Sequence, residues 1–203
     1  MKEIERVLRG VTDVDRAAAA AAERFAEVAR ADGLVDVAYG FTDSPFGRFL
    51  LASTPRGLVR LEFHPDPVEE VLEELARRVS PRVLEVPHEF DEVRRELDQY
   101  FEGRRRDFDI PLDWRLSRGF SERVLRATAK IPYGGVSTYR DVAARAGNPR
   151  AMRAAGNALG SNPLPIVVPC HRVVRTGGDV GNYGGGPAMK RALLQLEGAL
   201  EGE

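Results

Sequence analysis

The decapeptide PIVVPCHRVV, residues 165–174, constrains this chain more than any other stretch. It holds the only cysteine, Cys170, followed directly by one of three histidines, His171. The flanking IVV and VV are β-branched apolar runs and read as buried strand. A polar, reactive pair is thus set between two segments that belong in a core. Pro169 restricts the backbone at the turn and removes an amide donor that a buried strand end could not satisfy. A free thiol, with a pKa of about 8.5, is a weak nucleophile until a base or positive field lowers it. His171 can serve as that base if the turn brings its ring back over the sulfur. A Cys–His pair with a purely structural place in a core is the competing reading.

The rest of the composition narrows the classes. A chain of 203 residues is long enough for one large or two small domains with real cores. Nothing approaches the apolar run of about 18 residues that spans a bilayer. The run Ala17–Ala22 is flanked by Asp13, Asp15, Arg16 and Glu23 and reads as helix, not as a signal segment. One cysteine makes no internal disulfide, which points to a reducing cytoplasm. It also excludes a Cys-rich zinc site, and His64 and His88 are too scattered to suggest another, so no metal and no cofactor are expected. Charge is divided. Residues 114–203 hold 13 Lys+Arg and 6 Asp+Glu, a net of +7; the remainder holds 17 and 25, a net of −8. A basic half joined to an acidic one fits a polyanion-binding domain carried by a second domain, or chance clustering on solvated faces.

Patterning predicts an α+β chain in three parts: a helical extension over 1–34, an α/β domain over 35–113 and a mainly helical domain over 114–203. The alanine-rich 13–31 reads as helix, with Phe25 and Val28 at i,i+3 and Gly33 as its stop. Residues 36–63 read as three strands with turns at SPFG and TPRG. Helices are expected over 66–79, opened by Pro67, and over 88–103, closed by Gly103, with a short strand at 82–86 between them. No chemical constellation stands out in this half. The Arg104–Arg106 run is read as a solvated turn or a phosphate contact.

The second half reads as a helix over 119–131, a turn to Ser137 or Thr138 as N-cap, and a short helix over 139–147. A further helix follows over 148–162, with Asn148 as N-cap and Pro149 in its first turn. Two short helices around a glycine turn make a helix-turn-helix pattern. The second is nearly bare: Ala151, Ala154, Ala155, Gly156, Ala158 and Gly160 leave Arg153 as one long cation among small residues. Such a surface suits close helix packing or a narrow groove.

PCHRVV, with RAAGNALGSNPLPIVV before it and GNYGGGPAMKRALLQLEG after it, resembles the O6-alkylguanine-DNA alkyltransferases, also called methylated-DNA–protein-cysteine methyltransferases. The resemblance is close over about 119–199 and weaker over 36–112, where the family has a ribonuclease-H-like domain. It implies direct-reversal DNA repair: an O6-alkylguanine (mainly O6-methylguanine, or an O4-methylthymine) is flipped out of duplex DNA, and its alkyl group passes irreversibly and stoichiometrically to a buried cysteine. It implies Cys170 as acceptor, His171 as base through a water, Glu197 as the carboxylate that orients His171, and Asn162 as the hinge brace. Tyr139 would donate to the guanine ring, Tyr183 and the Gly184 amide would close over the base, and Arg153 would fill the hole in the duplex. Ala151, Ala154 and Gly156 would face the minor groove. In this light the strand fixes a nucleophile at the floor of a pocket. The protein is expected to be a self-inactivating, monomeric methyltransferase without metal.

Three departures stand out. Residues 1 to about 33 precede the family's usual start. The N-terminal zinc cysteines of some members are absent. Gly184 replaces a serine found in some. The alternative is a non-catalytic alkylguanine-sensing DNA binder, which Cys170 argues against. A cysteine hydrolase and a plain helix-turn-helix regulator fit less: the first would need an oxyanion hole, the second no PCHR.

Overall fold

The computed structural model describes residues 18, 20–26, 28–177 and 179–200. Much of the expected helix over 13–31 therefore lies outside the described residues. Its described part is helical to Ala31 and ends at Gly33, which has a φ of 69°. The buried residues on it are Ala26 and Ala29, while Phe25 and Val28 are exposed. The i,i+3 pair thus marks the opposite face from the one that packs. Arg30 fastens this helix by donating to Glu89 at 2.7 Å.

The first half is a four-stranded sheet in the order β3-β2-β1-β4. Strands β1 (Val37–Thr42), β2 (Phe49–Thr54) and β3 (Gly57–Phe63) form an antiparallel meander. The short β4 (Val83–Glu85) joins β1 in parallel. The long connection before it carries α1 (Val68–Arg78), the crossover that a parallel pair requires. Strand β2 is buried along its whole length, as befits FLLAST between two partners and covered on both faces. The helix expected over 88–103 is a 3-10 turn at Pro87–Phe90 followed by α2 (Asp91–Phe101). Gly57, at a φ of 126°, turns β2 into β3, and a β-carbon there would lie 2.1 Å from the carbonyl oxygen of Pro111.

The second half holds α3 (Gly119–Thr128), α4 (Tyr139–Arg145), α5 (Met152–Gly160) and α6 (Gly186–Leu196). Thr138 caps α4 in a capping box with Asp141. The helix expected from Asn148 starts later. Asn148 Oδ1 accepts from the Arg150 amide at 3.2 Å, so its cap closes a turn instead of opening the helix. Of the two strand flanks expected around the Cys170 turn, only the second forms. Val173–Val174 pair in parallel with Ser137–Thr138 as β6 and β5, but Cys170–Arg172 form a 3-10 turn and Ile166 sits at a φ of 71°. Pro165 and Pro169 offer no amide to a ladder, so the apolar run is buried as packed coil. One hydrophobic core joins both halves: Phe49, Leu61 and Leu97 share it with Val124, Ile166 and Leu193.

Candidate alkyl-transfer site

Cys170 is held at the floor of a cavity of about 500 Å³ lined by α4, α5 and the loop before α6. Asn162 fixes the turn beneath it. Its Nδ2 donates to the Val168 carbonyl at 2.9 Å and lies 3.1 Å from Cys170 Sγ. Its Oδ1 accepts from the Leu164 amide at 3.0 Å. One side chain thus ties the end of α5 to the nucleophile. Burial pushes the thiol up to about 11, against the pull of the Asn162 hydrogen bond and the Lys190 charge. The resting group is a neutral thiol that needs a base.

His171 is fully buried, and its Nε2–H donates to Glu197 Oε1 at 2.9 Å. That bond fixes the tautomer, leaving Nδ1 unprotonated, buried and without a protein partner among the described residues. Burial lowers the His171 pKa although Glu197 draws it the other way, so the ring is neutral at neutral pH and available to take a proton. Among the described residues no direct hydrogen bond joins it to Cys170. Glu197 stands at the C-terminal end of α6. Burial would raise its pKa; hydrogen bonds from His171, Arg172 and Tyr100 outweigh this and hold it at about 2. Arg172 donates through Nε to Oε2 at 2.8 Å and through Nη2 to Oε1 at 2.9 Å, a two-pronged clamp. Its Nη1 reaches the Ile131 carbonyl.

The remaining residues singled out in the sequence divide into two groups. Tyr139, Arg153, Gly156, Tyr183 and Gly184 line the cavity with Cys170. Gly156 lies against the Tyr139 ring, where a β-carbon would be 3.8 Å away. Tyr183 packs between Phe63 and His171, at ring separations of 5.7 and 6.2 Å. Ala151 and Ala154 are outside the lining; Ala154 is exposed beside Arg153. The bare helix packs by one face and leaves the other exposed. Ala155, Ala158 and Leu159 face the core, while Met152, Arg153, Ala154 and Asn157 face outward.

Three residues escaped the sequence reading. Arg172 stood in the PCHR tetrapeptide, and an arginine inside an apolar strand signal needs a buried carboxylate. Lys190 is buried, donates to the Val173 carbonyl at 2.6 Å, and has its pKa lowered by burial to about 8. It had no distinguishing pattern in MKRALLQLEG. Tyr100, in the half that showed no chemistry, donates to Glu197 Oε1 at 2.7 Å. Only the docking of the two halves brings it there.

Residues 119–199 match the family model of the 6-O-methylguanine DNA methyltransferase DNA binding domain. Residues 37–114 match that of the 6-O-methylguanine DNA methyltransferase ribonuclease-like domain. The inducible methylated-DNA–protein-cysteine methyltransferase of Bacillus subtilis is 39% identical over 150 residues, covering 73% of this chain and 83% of that protein. The methylated-DNA–protein-cysteine methyltransferase of Mycobacterium tuberculosis is 39% identical over 159 residues, covering 78% and 91%. The crystal structure of Mycobacterium tuberculosis OGT in complex with DNA superposes with a TM-score of 0.67 at 38% identity, covering 80% of this chain and 93% of that one. A buried cysteine tied to an Asn hinge and backed by a His–Glu pair is thus found in a chain matched across both of its halves, and the chain belongs to the 6-O-methylguanine DNA methyltransferase family.

Proposed function

We propose that this chain repairs DNA by direct reversal, taking the alkyl group from O6 of guanine onto Cys170. The observation that carries the reading is the Cys170–Asn162 and His171–Glu197 arrangement at the floor of a cavity wide enough for a base. His171 Nδ1, with its tautomer fixed from behind by Glu197, receives the thiol proton through a bridging water. The thiolate attacks the alkyl carbon in line, the S–C bond forms, and the C–O6 bond breaks with its electron pair left on guanine. Overall the thiol proton passes to guanine, with His171 as its carrier. Tyr139 donates to the guanine ring as negative charge develops there, which stabilises the transition state. The thioether formed is inert, so each molecule acts once.

The base must leave the stack to reach Cys170, and unstacking costs a few kcal/mol. The outward face of α5 suits the minor groove of duplex DNA, with Arg153 at the cavity mouth replacing the extruded base and Ala151, Ala154 and Gly156 allowing close approach. Tyr183 and the Gly184 amide close over the base. The protein works as a monomer in a reducing cytoplasm that keeps its one thiol free. The test is intact mass after incubation with duplex DNA containing O6-methylguanine. A gain of one methyl group on the Cys170 peptide is expected. Tight binding without a mass gain would instead make the chain a sensor of alkylguanine.

A further inference from the structure

We propose that Tyr100, contributed by the ribonuclease-like half, is a positioning residue for alkyl transfer: its hydroxyl fixes Glu197 Oε1, the atom on which His171 leans. This rests on the alkyl-transfer reading and adds a role for the N-terminal half within it.

The geometry is specific. Tyr100 is fully buried on α2, and its Oη donates to Glu197 Oε1 at 2.7 Å. The same oxygen accepts from His171 Nε2 at 2.9 Å and from Arg172 Nη2 at 2.9 Å. Three donors therefore share one oxygen, while Oε2 takes Arg172 Nε at 2.8 Å. The Tyr100 ring is itself seated by Phe108 and Tyr133, at ring separations of 5.3 and 6.2 Å. Tyr133 in turn donates to the Leu196 carbonyl at 2.9 Å, one residue before Glu197. A phenol seated by two rings and aimed at a carboxylate constrains where that carboxylate sits.

The share Tyr100 takes of Oε1 also sets how strongly Glu197 draws a proton onto His171. The groups that face the imidazole are Glu197, Arg172 and Lys190, with Cys170 as its neighbour in the chain and the Tyr183 ring edge-on. Of these only Glu197 favours the imidazolium, since the arginine and lysine oppose it. Removing the Tyr100 hydroxyl leaves more charge on Oε1 for His171 and stabilises the protonated ring. The base is then occupied up to a higher pH, and its carboxylate is less well fixed.

The experiment compares wild type with Tyr100→Phe, which keeps the ring and its packing. Single-turnover methyl transfer is followed from pH 5 to 9 on both duplex O6-methylguanine and the free modified base. Transfer in the variant should be slower by roughly tenfold near pH 6, the scale of one hydrogen bond to a charged group. The acid limb should move to higher pH, and the deficit should be the same for both substrates. In a Glu197→Gln background, Tyr100→Phe should change the rate little, because the two act as a unit. A variant with the wild-type rate and limb overturns the proposal. So does one slowed equally at every pH, or slowed as much in the Glu197→Gln background, since both outcomes mean packing alone. A wild type that gains no methyl group sinks the alkyl-transfer reading, and this proposal with it.

Discussion

At the residue scale, the site sets a buried thiol next to a buried His–Glu pair that makes no direct hydrogen bond to it among the described residues. Cys170 is kept neutral by burial, with its pKa pushed up to about 11, so the proposed mechanism needs His171 as base instead of a standing thiolate. Cys170→Ser should keep DNA binding and lose transfer, because a hydroxyl is far harder to ionise than a thiol of similar size. Intact mass and a gel-shift titration read the two separately, and methyl transfer above a per cent or so would force another acceptor. Glu197→Gln should slow transfer by roughly 10- to 1000-fold, the range of a positioned acid–base partner. Glu197 is what raises the His171 pKa against burial, so its loss should move the acid limb of the pH–rate profile downward. In wild type that limb should fall below the ordinary 6.5 of histidine, since burial lowers the His171 pKa. An unmoved profile in Glu197→Gln would break the proposed relay.

At the element scale, α5 carries the argument for duplex binding. Its inner face is Ala155, Ala158 and Leu159 and its outer face presents Arg153, so the helix is anchored by one side and exposed on the other, the side proposed to meet DNA. If Arg153 substitutes for the flipped base, Arg153→Ala should slow duplex repair by roughly a hundredfold, the scale of unstacking. The free modified base needs no flipping, and its reaction should be almost unchanged. Parallel single-turnover rates on the two substrates check this. Equal slowing would place Arg153 in the pocket or the fold, and no slowing would remove α5 from the DNA interface. This pattern differs from that of Tyr100→Phe, which acts on both substrates alike.

At the scale of the whole molecule, the two halves are not independent bodies. Phe49, Leu61 and Leu97 share a core with Val124, Ile166 and Leu193, and the Leu61 amide of β3 donates to the Pro163 carbonyl at 2.8 Å. Thermal unfolding should therefore be a single transition with matching calorimetric and van't Hoff enthalpies; two resolved transitions would refute a shared core. The buried Glu197 cluster adds a pH dependence. Its folded pKa of about 2 lies below the ordinary 4.5, so protons bind more tightly to the unfolded chain. The stability it contributes is fully present above about 4.5 and is lost as pH falls toward about 2. Denaturant midpoints measured at pH 5 and pH 3 should drop for wild type, and the drop should be smaller in Glu197→Gln.

How much of this was legible beforehand depends on the range of the signal. Cys170, His171, Asn162 and the Arg153 helix lie within twenty residues of one another, so a local reading could single them out as candidates. The strands β1–β3 announced themselves through SPFG, TPRG and the β-branched runs between them, since turn residues and alternation are local too. The IVV flank at 166–168 is not the strand its pattern suggests, because an apolar run says that a segment is buried, not what backbone it adopts. Pro165 and Pro169 lack the amides a ladder needs, and the segment packs as coil and a 3-10 turn. The helix expected from Asn148 starts at Met152 for a related reason, as an asparagine cap serves a turn as well as a helix. Tyr100 was beyond any local signal: it is 97 residues from Glu197. Side-chain type and patterning are properties of the chain, so Cys170, His171 and Asn162 stand out as candidates, and the apolar segments as buried, before any fold is known. Which donors converge on Glu197 is settled by the docking of the two halves, because a hydrogen bond of 2.7 Å between residues this far apart in the chain exists only once they share one core.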